Sequence, residues 1–164
     1  MALTARANYR SQPGGKLASI PVAPAVIIYD GALVQLINGG TNDGRATNWE
    51  DALTGTSNEF FLGIAQVTDQ IGATVAGGES LTGDTAGSIE VSVDISGVRL
   101  KGVSVVGASA VNVGNLVYSA DENTFSMTAT PGANPIGWLI RFVTGTTADV
   151  QLFSAEAYRA HRAT

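Results

Sequence analysis

Ser88-Ile89-Glu90-Val91-Ser92-Val93-Asp94-Ile95-Ser96-Gly97-Val98-Arg99-Leu100-Lys101 is the stretch whose period settles the class of fold. Ile89, Val91, Val93 and Ile95 alternate with Ser88, Glu90, Ser92 and Asp94. A period of two puts the first set on the buried face of a strand and the second on its wet face. Beyond Ser96-Gly97, Val98 and Leu100 alternate with Arg99 and Lys101 in the same way. If Ser96-Gly97 is a two-residue hairpin loop, Asp94 opposes Arg99 and Val93 opposes Leu100, so faces and charges agree. The competing reading is one strand continuing through a bulge at Gly97. Either way the segment is sheet.

Strand signals continue on both sides. Upstream, Val26-Ile27-Ile28-Tyr29 and residues 32–37 flank Asp30-Gly31, a tight-turn candidate, and Asn38-Gly39-Gly40-Thr41-Asn42-Asp43-Gly44 is a loop built from residues that tolerate turn geometry. Phe60-Phe61-Leu62-Gly63-Ile64-Ala65-Gln66-Val67 is short, aromatic and β-branched, which reads as a buried strand with Gly63 at a bulge or close approach. Residues 69–87, with Gly72, Gly77, Gly78, Gly83 and Gly87, read as a long loop, and residues 49–53 as one helical turn. Downstream, residues 111–119 and 124–127 flank a four-residue hairpin loop at Ala120-Asp121-Glu122-Asn123, and residues 136–143 and 148–153 flank Thr144-Gly145-Thr146-Thr147. Ser154 is the expected N-cap of a short helix through Ala155, Glu156, Ala157, Tyr158, Arg159 and Ala160. The predicted organisation is an extended N-terminal arm over 1–24, a β domain over 25–153 and a short helix or tail over 154–164. The arm follows from Pro13-Gly14-Gly15, Pro21 and Pro24, which oppose helix, and from too few apolar residues to join the core.

Composition fits a single mainly β domain, sandwich-like or barrel-like. The chain has 164 residues, enough for a self-standing core, with 20 glycines and only 14% charged residues. With no cysteine, disulfides, thiolate zinc sites, iron–sulfur clusters and thiol nucleophiles are excluded. Residues 1–16 carry three bases and no acid, residues 17–98 one base against ten acids, and residues 99–164 five bases against four acids. A body of this charge lacks the basic stripe that phosphate binding needs, so nucleic acid is not the expected partner. No apolar run reaches the length of a spanning helix, and the first ten residues contain no signal-peptide core, so no membrane is expected either.

Constellations that carry chemistry are sparse. His161 is the single histidine, between Arg159 and Arg162 near the chain end, and reads as a solvated helix-end side chain. One histidine without cysteine builds no zinc site, and a Ser-His-Asp triad would need this same residue in a packed cleft. No phosphate-loop or dinucleotide glycine pattern occurs, since Gly15-Lys16 is followed by Leu17 and preceded at the required spacing by Arg10. Glu50-Asp51 and Asp121-Glu122 are adjacent pairs, and Asn42-Asp43 and Asp84 lack the calcium-loop spacing, so all read as loop charges. Trp49, Phe60, Phe61, Trp138, Phe142 and Phe153 sit mostly in apolar runs and read as core rather than as a sugar platform. No enzyme, cofactor or metal is expected.

Resemblance adds a function. Val111-Asn112-Val113-Gly114-Asn115-Leu116-Val117-Tyr118-Ser119-Ala120-Asp121-Glu122-Asn123-Thr124-Phe125-Ser126-Met127-Thr128-Ala129-Thr130, followed by Asn134-Pro135-Ile136-Gly137-Trp138-Leu139, resembles the tailed-bacteriophage capsid decoration (cement, head-stabilising) proteins of the β-tulip type. Leu62-Gly63-Ile64-Ala65 and Val93-Asp94-Ile95-Ser96-Gly97-Val98 are similar to earlier strands of that family. The likeness implies a β-tulip domain. It also implies a structural protein on the outside of the virion, made in the host cytoplasm, that forms homotrimers and clamps neighbouring capsomers by binding the major capsid protein. On that reading Arg6, Tyr9, Arg10 and Lys16 of the arm contact the capsid. The alternative is a β-sandwich carbohydrate-binding module of a phage tail or surface protein.

Overall fold

A computed structural model describes residues 10–12, 16–49, 60–67, 80–119, 121, 123–129 and 134–162. They are mainly β. The strands are β1 (Arg10–Gln12), β2 (Leu17–Pro21), β3 (Ile27–Tyr29), β4 (Leu33–Leu36), β5 (Ala46–Asn48), β6 (Phe60–Gln66), β7 (Ser80–Thr82), β8 (Glu90–Asp94), β9 (Arg99–Val106), β10 (Leu116–Ser119), β11 (Phe125–Ser126), β12 (Pro135–Thr144) and β13 (Thr147–Leu152). A 3₁₀ turn at Ala110–Asn112 precedes β10, and one helix, α1 (Ala155–Arg162), follows β13.

Two sheets close on themselves or nearly so. Strands β9, β11, β10, β12 and β13 are neighbours in that order, and β13 returns to pair with β9, which makes a small five-stranded barrel with no free edge between them. Within it β11 runs parallel to β9 and the other pairs are antiparallel. β1 lies along the start of β9, with Arg10 opposite Lys101 and Gln12 opposite Arg99. The second sheet has the order β2-β8-β6-β4-β5, and a parallel bridge from Val22, just after β2, to Ala46 in β5 joins its two outer strands. β3 and β7 form a separate two-stranded ribbon.

The hairpin around 120–123 forms with Ser119 opposite Phe125, and the one expected over 144–147 is tighter than expected: Thr144 pairs with Thr147 and the turn is Gly145-Thr146 alone. Other expectations are corrected. β8 and β9 make no hairpin at Ser96-Gly97: β8 pairs with β2 and β6, while β9 enters the barrel. The reason is local and then tertiary. Asp94, which alternation placed on the wet face, is fully buried, and its Oδ1 accepts from the Ser96 amide (3.0 Å) and hydroxyl (2.6 Å), bending the chain out of the sheet. The corner is then held from three sides, by Ile95 N to Lys16 O (3.0 Å), Gln151 Nε2 to Gly97 O (2.9 Å) and Ala155 N to Ile95 O (3.0 Å). Likewise Asp30-Gly31 turns the chain without pairing β3 to β4, since β4 pairs with β5 and β6. The predicted loop over 69–87 contains β7, and residues 111–115 are a 3₁₀ turn and bend rather than strand. Residues 50–53 lie outside the described residues.

The boundary of the arm also moves. Leu17 to Pro21 pair residue by residue with Asp94 to Glu90, Val22 and Ala23 are buried, and Arg10 to Gln12 already pair with β9, so residues 10–12 and 17–23 belong to the β body rather than to a separate arm ending at 24. Backbone pairing and two small apolar side chains accomplish what the arm's polar composition hides. Residues 1–9 and 13–15 lie outside the described residues.

β6 feeds two hydrophobic clusters. Phe61 and Ile64 pack with Leu33, Trp49 and the barrel interior, including Leu100, Val105, Phe125, Ile136 and Leu139; Leu62 and Ala65 pack with Val34, Val91, Val93 and Val22. Residues three apart share a strand face only if an extra residue is inserted, and Gly63 supplies it: the register with β4 shifts there, at φ +151°. A Cβ at Gly63 would stand 1.9 Å from the Asp94 carbonyl oxygen, so only glycine admits this approach. Helix α1 closes the first cluster. Ser154 Oγ accepts from the Ala157 amide (3.1 Å), the expected N-cap, and Tyr158 is fully buried edge-on against Trp49, Phe60 and Phe61 at centroid separations of 5.4 to 6.0 Å. Trp49 Nε1 donates to Ser119 O (2.9 Å), fastening the second sheet to the barrel.

Candidate interaction face on the barrel wall

Of the four arm residues expected to contact a partner, Arg6 and Tyr9 lie outside the described residues. Arg10 takes a strand position on β9 opposite Lys101, while Lys16 leads into β2 and is 3.8 Å from Glu156 of α1. Both ends of that ion pair are exposed, so it contributes no more than about 1 kcal/mol. The structure therefore gives Arg10 and Lys16 to different sheets.

Closure of the barrel assembles a group of charges that no sequence window contains. Arg141 on β12 is the strand partner of Asp149 on β13, and Asp149 sits between the residues that pair with Val103 and Leu100 on β9. Arg99 donates to Asp149 Oδ2 at 2.8 Å and the Gly102 amide to Oδ1 at 2.9 Å. Burial works to raise the Asp149 pKa, but the hydrogen bonds from Arg99 and Gly102 and the charges of Arg99 and Arg141 outweigh it, so the carboxyl is held below its ordinary value. Lys101 and Arg141 point outward and are exposed. Arg99 on β9 and Arg141 on β12 thus flank one buried carboxylate on β13, with Lys101 exposed two residues beyond Arg99. With neighbouring strands about 4.8 Å apart, the group spans roughly 10 Å of wall.

An apolar strip adjoins it. Leu116 and Trp138 are paired across β10 and β12 and both are exposed, and Val111 and Val113 stand out on the preceding turn, Val111 at 88% exposure. The Gly114 amide to Leu139 O (2.7 Å) and the Leu139 amide to Asn115 O (2.9 Å) fix that turn against β12. Trp138 is backed by Phe153 at 5.4 Å, which in turn stacks on His161 at 5.8 Å. His161 is exposed, as expected of a helix-end residue, with its ring lying on Phe153. Trp138, read as core from its apolar run, is instead exposed, and which outward faces adjoin is set by β13 returning to β9.

The acids weighed as sites serve turns. Asp121 Oδ1 accepts from the amides of Asn123 (3.0 Å) and Thr124 (2.8 Å), and Asp43 Oδ1 from Gly39 N (2.8 Å). Asp84 accepts from the Ser88 hydroxyl, which with the backbone amides of Ser88 and its neighbours lowers its pKa against the opposing effect of burial. Glu50, Asp51 and Glu122 lie outside the described residues. Among the described residues no three His, Cys, Asp or Glu side chains are grouped to hold a metal ion. A depression of about 200 Å³ between β9 and β11 is open to solvent, and its described lining residues, Ser104, Val106, Asn123, Thr124 and Phe125, carry no titratable side chain. No helix of the described residues is long and apolar enough to cross a membrane.

No family model, curated protein or solved structure matches the chain.

Proposed function

We propose that the chain is a capsid decoration protein. It binds the outer surface of a phage head through the major capsid protein and acts as a homotrimer to clamp adjacent capsomers. The observation that carries this reading on the structural side is the composite barrel wall. Trp138, Leu116, Val111 and Val113 are exposed together next to Arg141 and Lys101, and aromatic and arginine side chains beside apolar surface are the composition of a protein interface core. The resemblance noted in the sequence supplies the identity of the partner. A rigid closed barrel is suited to holding such a face without rearrangement, since its strands satisfy one another and leave no ragged edge for non-specific pairing. The N-terminal residues ahead of β1, with Arg6 and Tyr9, add a second contact, by backbone pairing to a sheet edge of a neighbour. Three such segments on one trimer multiply a weak contact through effective concentration.

The glycan-binding alternative needs a strip of exposed rings, and among Trp49, Phe60, Phe61, Trp138, Phe142 and Phe153 only Trp138 is exposed. The decisive experiment is cosedimentation with expanded shells of the virus that carries the chain. Saturable binding that Trp138→Ala weakens by at least about ten-fold is expected for a central interface aromatic. Absence of binding by the unaltered protein overturns the reading.

A further inference from the structure

The turn between β4 and β5 carries a reactive pair. Asn38 is followed by Gly39, and it is the one asparagine of the chain with glycine after it. A side-chain amide is open to attack by the backbone nitrogen of the next residue when that residue has no Cβ to shield it, because the two close a five-membered ring. The structure leaves this pair accessible. Asn38 and Gly39 are both exposed, and among the described residues the Asn38 side chain has no hydrogen-bond partner. Gly39 stands at φ +105°, where a Cβ would meet nothing within 4 Å. One contact bears on the nucleophile itself. The Gly39 amide donates to Asp43 Oδ1 at 2.8 Å, across a turn whose base is fixed by Ile37 N to Arg45 O (2.9 Å) and Gly44 N to Ile37 O (2.9 Å).

From this geometry we infer that Asn38 is a site of spontaneous covalent modification and that Asp43 is its brake. The Gly39 nitrogen attacks Cγ of Asn38 as it gives up its proton. The new C–N bond closes a succinimide, and the side-chain nitrogen leaves with that proton as ammonia. Water then opens the ring. Cleavage of the bond from N to Cγ leaves aspartate, and cleavage of the bond from N to the Asn38 main-chain carbonyl carbon leaves isoaspartate, whose main chain is one carbon longer. Either product adds one negative charge. Asp43 slows ring closure for two reasons. Its hydrogen bond holds the peptide plane that the nitrogen must leave, and its charge lies beside the atoms on which negative charge builds. A carboxylate is too weak a base to offset this by removing a backbone amide proton. The extra carbon of isoaspartate falls between Ile37 and Gly39, next to the hydrogen bonds at Ile37 that open the β4–β5 ladder, so ageing should loosen this turn. The inference is independent of shell binding, because the turn belongs to the second sheet and the proposed contact face to the barrel.

Peptide mapping by mass spectrometry of the full chain, incubated at about pH 7 and about pH 9, tests it. Asn38 should gain the mass of an amide-to-acid exchange faster than any other asparagine, as both aspartate and isoaspartate, and faster at the higher pH because the nitrogen must lose its proton. Asp43→Ala and Asp43→Ser should each speed conversion by about three- to ten-fold, the effect of removing one hydrogen bond to a charged acceptor at an exposed turn. Neither substitution places a new asparagine before Gly44. Asn38→Gln, whose longer side chain closes a larger ring, should stay unmodified at position 38 over the same time. The other asparagines, read in the same samples, report any general loosening of the fold. Three results overturn the inference: wild-type conversion at Asn38 no faster than at the other asparagines; an Asp43→Ala chain that converts more slowly than wild type, which would make the carboxylate the base; or an acceleration in the Asp43 variants shared by every asparagine. Because no shell is present, none of these outcomes bears on capsid binding.

Discussion

Gly63 and Gly102 are both bulge glycines with positive φ, and replacing each with alanine should have very different consequences. At Gly102 (φ +66°) a Cβ would meet nothing within 4 Å, so Gly102→Ala carries only the left-handed backbone penalty, about 1 kcal/mol. At Gly63 (φ +151°) the conformation is nearly confined to glycine, a penalty of about 1 to 3 kcal/mol. The new Cβ would also fall 1.9 Å from Asp94 O and 2.9 Å from Asp94 C, both backbone atoms of β8. Strands β6 and β8 would have to part where Ile64 pairs with Asp94, losing one or two backbone hydrogen bonds at about 1 kcal/mol each. Gly63→Ala should therefore lose about 3 to 5 kcal/mol. At roughly 2 to 4 °C per kcal/mol for a domain of this size, Gly102→Ala should melt about 3 °C below wild type and Gly63→Ala about 6 to 20 °C below it. Thermal and urea unfolding followed by circular dichroism at pH 7 measures both. If the two variants melt within about 4 °C of each other, the close approach of β6 to β8 is not as described here.

Arg99→Ala should lose about 1 to 2 kcal/mol at pH 7, because it strips a charged hydrogen bond from the buried Asp149 carboxylate while Arg99, itself a third exposed, is partly screened by solvent. The folded Asp149 pKa lies below its unfolded value of 3.8, so this stabilisation is complete above that pH and disappears as the pH falls through the lower folded value. Urea unfolding at pH 7 and pH 3 should show the gap between wild type and variant narrowing; a constant gap counts against an ionised Asp149. A chain beginning at Lys16 loses the pairing of Arg10, Ser11 and Gln12 with β9. One beginning at Ile20 also loses the pairing of Leu17, Ala18 and Ser19 with β8 and should be about 2 to 3 kcal/mol less stable again, read from the same melts. Ser154→Ala removes the N-cap of α1 and should lose about 1 kcal/mol, with Ser154→Gly losing less, and equal losses would separate the effect from capping.

Much of the fold was legible wherever the controlling interaction is short-range in sequence. The period of two over residues 88–95, the turns at 120–123 and 145–146, the cap at Ser154 and the need for glycine at position 63 are written in local residue types, because pleat, turn geometry and helix capping act over two to four residues. The same locality misled at Ser96-Gly97. A polar residue every second position looks wet, yet Asp94 is buried because its carboxylate satisfies its own corner, and no alternation rule sees that. Tyr158 is likewise polar-tipped and on a short terminal helix, and it fills the centre of the Trp49, Phe60 and Phe61 cluster only once α1 folds back onto β6. By itself, then, the sequence determined that the chain is sheet with a capped C-terminal helix, and the period of its clearest strand. Tertiary structure alone decided which strands become neighbours, and with that the meeting of Arg99, Arg141 and Asp149, because barrel closure joins β9 to β13 across about fifty residues and depends on how two whole sheets bury their apolar faces.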